Sequence, residues 1–319
     1  MKSLSVHVTD LCNSACSFCV VSAPLYDEDT VNLEDVFAFI DKYAAQGYTN
    51  LNLHGGEPTI QPRLLELVRR ASALGFSEIH MQTNGIRMAD ATYCMALKEA
   101  GVTRCVVSLH GHSAELQDAL TGSKGGFRKT ICGIRNMCEL GVPVRTNTVI
   151  TKSNNRHLEA IAELAISLGV DHINLSVLHP SGSSVYSRQS NMPRFTEIRP
   201  MVHAVIQQVL KAERIITLEG FPLCIVPDHG HLLVTEKLAD IRMMIRGREY
   251  SSYDGFMSRL NKELGSICRK CECKGACGGV YPQYTEYYGW DEIQGMPSKE
   301  ASEPALCNFG RQLPGQDED

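Results

Sequence analysis

The 319-residue chain lacks any run approaching the ~18 apolar residues of a membrane-spanning helix. Its opening, MKSLSVHVTD, has no apolar stretch of the kind a secretory signal carries. Together these absences predict a cytoplasmic protein. A strong charge of either sign is also missing. The net charge of −5 gives no reason to expect a nucleic-acid or membrane partner. No separate peptide-recognition segment is expected ahead of the first strand, which begins near Ser3.

Cysteine, by contrast, is abundant, with 13 residues. With no sign of export, a disulfide framework is not the expectation. The cysteines are unevenly placed. Cys12, Cys16 and Cys19 share the first loop, five lie between Cys268 and Cys307, and Cys224 stands just upstream of those five. Cys94, Cys105, Cys132 and Cys138 fall in helix-like or strand-like segments and read as buried small hydrophobes. The two groups suggest two metal centres in a reducing compartment.

The first group has the spacing CxxxCxxC, which puts three soft thiolates on one short loop. Thiolates at that density suit an iron–sulfur cluster or zinc. A fully ligated [4Fe–4S] cluster takes four cysteines. This loop offers three and has no nearby histidine, so one metal corner would stay open. Zinc sites usually show paired CxxC units or Cys/His sets. The spacing therefore leans toward a cluster, with zinc the alternative.

The first two-thirds of the chain alternates strand and helix. Strand-like runs occur at Leu4–Thr9, Thr49–His54, Glu78–Thr83, Cys105–His110, Val144–Thr151 and His172–Val177. Helix-like segments at Leu33–Gln46, Arg63–Leu74, Ala89–Ala100, Phe127–Leu140 and His157–Leu168 are each followed by a glycine, a helix stop. This rhythm predicts a parallel sheet. A parallel sheet covered on both faces should read as continuous apolar runs. These strands alternate instead: Leu4, Val6 and Val8 oppose Ser5, His7 and Thr9, and Ile173, Leu175 and Val177 oppose His172, Asn174 and Ser176. Helices would cover the apolar face. The polar face then needs an enclosed polar partner, as in a curved sheet closing around a ligand. The alternative is a doubly wound sheet with one solvated face. A further helix near Glu197–Ala212 precedes the strand-like IITLEGFPLC, and the acidic tail GQDED is expected to fray.

His54-Gly-Gly-Glu-Pro58 closes the second strand. Two glycines allow close backbone approach, and Glu57 sits at the strand edge where ligands of parallel α/β folds bind. CxxxCxxC followed by GGEP, Thr83-Asn84-Gly85 and Ser108-Leu109-His110-Gly111 resembles the radical S-adenosylmethionine (radical SAM) enzymes over about residues 3–210. The resemblance implies an α/β fold, a partial (β/α)6 barrel. It implies a [4Fe–4S] cluster on Cys12, Cys16 and Cys19, with the amino and carboxylate groups of S-adenosylmethionine on the open iron. One electron from the reduced cluster would then cleave the cofactor to a 5′-deoxyadenosyl radical, which removes hydrogen from an unactivated carbon. Gly55, Gly56 and Glu57 would meet the cofactor's amino group, with Asn84 beside them. Ser108, Asn147 and Ser176 are candidates for ribose or carboxylate contacts, and Arg145 for a carboxylate. Phe18 resembles the family's residue against the adenine, with cluster shielding as the other role.

The run Cys268–Tyr281 contains CxxCxxxxxC and resembles the auxiliary-cluster region of the SPASM and twitch subgroups. Tyr281 stands where the fuller SPASM pattern has another cysteine. One auxiliary [4Fe–4S] cluster is therefore implied, held by Cys224, Cys268, Cys271 and Cys277, with Cys307 competing with Cys224 and Cys273 spare. A zinc ribbon is the alternative. The implied domains are a radical SAM barrel over 1–212 and an auxiliary-cluster domain over 213–319. The implied activity is oxidoreductase-like hydrogen abstraction from a peptide, such as a ribosomal precursor, or from a small metabolite. Flavodoxin or ferredoxin would be the electron donor. The alternatives are a small-molecule radical SAM dehydrogenase and a non-catalytic iron–sulfur or zinc protein.

Overall fold

The computed structural model describes residues 2–21, 28–182, 184, 191–234, 240–251 and 262–296. Six βα repeats come first. The strands are β1 (Lys2–His7), β2 (Asn50–His54), β3 (Glu78–Thr83), β4 (Arg104–Ser108), β5 (Val144–Ile150) and β6 (His172–Val177). The helices between and after them are α1 (Leu33–Ala44), α2 (Leu64–Ala73), α3 (Ala91–Ala100), α4 (Ala114–Thr121), α5 (Gly126–Glu139), α6 (Leu158–Ser167) and α7 (Phe195–Lys211). Then follow β7 (Ile215–Glu219), β8 (Asp240–Ile245), β9 (Arg248–Tyr250) and the short helix α8 (Pro282–Tyr288). The sheet runs β7-β6-β5-β4-β3-β2-β1-β8-β9, parallel except for the β8–β9 hairpin.

The loop after β1 crosses the C-terminal ends of the strands and bonds the neighbourhoods of both β4 and β6. Ala15 N donates to Thr121 O at 2.8 Å, and the Ser181 hydroxyl donates to Val20 O at 3.2 Å. The outer face packs against the helices through Leu4, Val6, Leu53, Ile79 and Met81, all fully buried. On the inner, polar face His7, Asn174 and Ser176 are exposed by 4% or less, Asn52, His80, Arg145 and Asn147 are half-buried, and Gln82 is exposed. The α/β partial barrel expected from the strand alternation is the observed fold.

Three features differ from the sequence expectation. Helix α4 lies between β4 and α5, where the sequence reading named no element. Ser113 caps it by accepting from Leu116 N at 3.3 Å, and Gly122 ends it in the left-handed region. Strands β7, β8 and β9 join the barrel sheet, so the barrel continues past the expected boundary at residue 212. β7 does so because its alternating Ile216 and Leu218 extend the apolar face beside β6. Finally, Cys132 is exposed rather than buried, because α5 turns Thr130, Gly133, Ile134 and Met137 inward and Cys132 outward. Cys94 and Cys105 are buried as expected, and Cys138 is half-buried. The five glycines expected to stop helices, Gly47, Gly75, Gly101, Gly141 and Gly169, all take positive φ. Among the described residues no helix is long and apolar enough to cross a membrane.

The packing makes a direct prediction. Leu53→Ala removes a fully buried side chain and should cost roughly 2–5 kcal/mol of stability. Met95→Ala, at a 46% exposed position on α3, should stay within about 0.5 kcal/mol. Urea unfolding of both variants without metal would compare them, and equal losses would contradict this division of faces.

Candidate active site at the strand C-terminal ends

The cysteine loop leaves β1 pressed against the end of β2. Gly56 N donates to Thr9 O at 2.7 Å and Glu57 N to Leu11 O at 2.8 Å. A Cβ on Gly56 would lie 2.0 Å from Leu11 O. One on Gly55, whose φ is +154°, would lie 2.5 Å from Thr9 O. In this structure the close approach that the two glycines allow is to the chain's own backbone, immediately before Cys12.

Glu57 is 1% exposed. Its Oε1 accepts from Thr59 N at 3.0 Å and from the Thr59 and Thr83 hydroxyls at 2.6 Å, while Oε2 accepts from Asn84 N at 2.6 Å. Burial raises its pKa, and these donors offset that only in part. The carboxylate thus ties the end of β2 to the end of β3. Asn84 carries the tie onward, its Nδ2 donating to Asn13 Oδ1 at 2.6 Å and to Ser14 Oγ at 3.2 Å. Asp10, fully buried, is an acceptor for His7 Nε2 at 2.9 Å and for Thr30. Burial opposes its ionisation, but hydrogen bonds from Thr30, Arg246 and His7 win and bring its pKa down to about 2.

Cys12, Cys16 and Cys19 are free and half-buried on this loop. Burial pushes the Cys12 thiol up to about 11 and Cys16 up to about 12. No cation lowers them, so this is not the setting of a nucleophilic cysteine. Three thiols on one braced loop do suit the soft metal of a cluster. Among the described residues, no group of three His, Cys, Asp or Glu converges as around a single metal ion. Phe18 is buried edge-on against His110, with ring centroids 4.7 Å apart. Burial lowers the His110 pKa to about 4, leaving a neutral ring whose Nδ1 accepts from Val149 N at 3.1 Å.

The lumen carries the remaining sequence candidates. Ser108, Asn147, Asn174 and Thr217 lie in one register across β4 to β7. Asn174 Nδ2 donates to Asn147 Oδ1 at 2.7 Å, and the Thr217 hydroxyl donates to Asn174 Oδ1 at 2.7 Å. Arg145 lies one layer deeper, paired in register with His172. Its Nε is buried with no hydrogen-bond partner, and burial lowers its pKa against the pull of Glu219. Ser176 sits at the mouth, its Oγ 3.5 Å from His179 Nε2, which in turn is 3.8 Å from Glu219 Oε1. Sequence reasoning passed over Asp10, Asn174, His179 and Glu219. Asn174 was visible in the strand alternation, while Glu219 required knowing that β7 joins the barrel.

Among the described residues, the C-terminal cysteines line a common concavity without closing to metal-ion distances. Cys224, in a 3-10 turn after Pro222, lines one concavity with Cys268, Cys271 and Cys277, closed by Leu264 and Ile293. Burial pushes the Cys224 thiol up to about 11, with Cys277 and Cys268 adding repulsion. Gly279 N donates to Cys277 Sγ and Met296 N to Cys271 Sγ, both at 3.4 Å. Cys273 lines the same concavity but is disulfide-bonded. Cys307 lies outside the described residues. The segment docks on the barrel mouth, where Lys262 Nζ donates to Gly220 O at 2.8 Å and the Tyr281 ring lies 5.3 Å from the His179 ring.

A profile of the Radical SAM superfamily matches residues 6–165, half of the chain. The chain belongs to the radical SAM superfamily. It is accordingly an iron–sulfur enzyme that uses a [4Fe–4S] cluster and S-adenosylmethionine. Its relatives include proteins named "Probable GTP 3′,8-cyclase" from Saccharolobus islandicus, 35% identical over 183 residues, 57% of this chain. A Sulfurisphaera tokodaii protein of the same name is 33% identical over 183 residues. The chain spans 58% of the length of these curated relatives. In fold it is similar to Streptococcus suis SuiB bound to precursor peptide SuiA, with TM-score 0.66 and 15% identity over 96% of this chain and 75% of that one. It is likewise similar to anSMEcpe with bound AdoMet, with TM-score 0.64 and 14% identity over 93% of each.

Replacing Glu57 by Gln would put an NH2 group against the Thr59, Thr83 or Asn84 donors. Glu57→Gln should therefore cost about 1–3 kcal/mol in the metal-free radical SAM chain. Denaturant unfolding measures it, and an unchanged midpoint would mean that the carboxylate does not brace the strand ends.

Proposed function

We propose that Cys12, Cys16 and Cys19 hold the radical SAM cluster and leave one iron to S-adenosylmethionine. We further propose that Cys224, Cys268, Cys271 and Cys277 hold one auxiliary [4Fe–4S] cluster of SPASM/twitch type, and that the substrate is a small polar metabolite. The single observation that carries this reading is the placement of four free thiols in one concavity, docked where the lumen opens. A cluster held by Cys12, Cys16 and Cys19 would, with S-adenosylmethionine, supply one-electron radical chemistry able to take hydrogen from an unactivated carbon.

The chain's own residues orient the reactants and exclude water. The half-exposed Gly55 and Gly56 would meet the cofactor's amino group, while Glu57 would act on it through the strand ends it braces. Ser108, Asn147 and Ser176 would meet ribose or carboxylate oxygens, and Arg145 an anionic group deeper in the lumen. Phe18, already buried on His110, fits cluster shielding. A low-potential donor such as flavodoxin or ferredoxin would reduce the enzyme in a reducing, cytoplasmic setting. The cyclase relatives favour a small metabolite over a precursor peptide.

Anaerobic reconstitution tests the reading. Replacing Cys12, Cys16 and Cys19 together by alanine should remove about half of the iron and all formation of 5′-deoxyadenosine. In that background, Cys224→Ala should remove the remaining cluster signal. Cleavage of S-adenosylmethionine by the triple variant would refute the first assignment. Retention of the second signal would move its fourth ligand away from Cys224, toward Cys307.

A further inference from the structure

The β8–β9 hairpin turns through two residues, Arg246 and Gly247, with φ of +50° and +72°. Positive φ at both positions is the type I′ pattern, for which Asn-Gly or Gly-Gly is the unstrained choice. An arginine in the left-handed region is uncommon. Among the described residues, Glu213 is the other non-glycine with positive φ. Backbone strain of this kind persists where the side chain is put to use.

The Arg246 side chain crosses to the cysteine loop. Its Nε donates to Asp10 Oδ1 at 2.6 Å, and its Nη2 donates to Val21 O at 3.0 Å. Asp10 stands two residues before Cys12, and Val21 two residues after Cys19. One planar guanidinium therefore spans both ends of the loop, a fork geometry that lysine cannot reproduce. Asp10 is fully buried and Arg246 only one-third exposed, so the pair is shielded from solvent screening.

We propose that Arg246 is the positioning residue of the cysteine loop, and that the β8–β9 hairpin is part of the cluster's housing. The inference deepens the assignment of Cys12, Cys16 and Cys19 to the radical SAM cluster and rests on it for its purpose. The clamp itself can be read without any metal.

The first measurement is hydrogen exchange on the full-length metal-free chain. Ala15, Ser17 and Cys19 report the loop, since their amides are hydrogen-bonded to Thr121, Leu120 and Cys16 carbonyls. Arg246→Asn keeps a residue that accepts the left-handed turn but removes the guanidinium. These three amides should exchange at least tenfold faster, while those of β1 and β8 stay protected. Unchanged loop exchange would overturn the proposal. Should Arg246→Asn also loosen β8, Arg246→Lys decides the matter, because its single head can serve Asp10 or Val21 at one time. Intermediate loop exchange supports the clamp, and loop exchange equal to the wild type refutes it. In the reconstituted enzyme, the change that S-adenosylmethionine causes in the cluster's paramagnetic resonance spectrum should be lost in Arg246→Asn and partly restored in Arg246→Lys. A wild type that binds no cluster on its N-terminal cysteines would sink the functional reading and leave the exchange result standing.

Discussion

The whole N-terminal site depends on one contact between backbones. Thr9 to Leu11 run against Gly55 to Glu57 so closely that a single methyl group on Gly56 would overlap Leu11. From that contact a closed ring follows. Glu57 bonds the end of β3, Asn84 at that end bonds Asn13 and Ser14, and these two lie between Cys12 and Cys16. Each bond contributes only about 1 kcal/mol net, but breaking one at buried Glu57 strands a buried partner at roughly 1–3 kcal/mol. The ring is therefore held most firmly at Glu57, while its exposed Asn84–Asn13 link can be replaced by water.

The lumen obeys the same accounting. A polar inner face on a parallel sheet must satisfy itself or hold a partner. The layer of Asn147, Asn174 and Thr217 does so internally. The layer around Arg145 does not, since its Nε and the Nε2 of His54 are buried without partners. Burial brings the His54 pKa down to about 3, so its ring is neutral. The lumen thus combines fixed dipoles that need no reorganisation with a cation that is under-satisfied, the pairing expected of a preorganised polar site.

Much of this was legible in the chain. The CxxxCxxC loop, the GGEP turn and the alternating strands led to the barrel, because local periodicity and glycine stops report on neighbours close in sequence. What stayed hidden is of longer range. β8 pairs with β1 across more than two hundred residues, and nothing in DIRMMI announces that partner. Arg246 in a turn reads as an exposed charge, and its reach to Asp10 exists only after the sheet has curled. Helix α4 was overlooked for a different reason. Its eight residues between Gly111 and Gly122 are too few to show a clear 3.6-residue period.

The C-terminal thiols pose the complementary problem, since no barrel strand carries them. Their position is set by docking. Phe195 N, at the start of α7, donates to Tyr284 Oη at 2.8 Å and to Glu292 Oε2 at 3.1 Å, and Tyr284 bonds Glu292 in turn. The helix start thereby fills an orphan N–H and places anionic charge at its N-terminal end, which its dipole favours. Lys262 fixes the other side of the segment on Gly220, four residues before Cys224. Loop-closure entropy grows only logarithmically with chain length, so gathering cysteines from two distant stretches costs little more than from one. The harder requirement is a fixed distance from the barrel mouth, which the α7 and Gly220 anchors set.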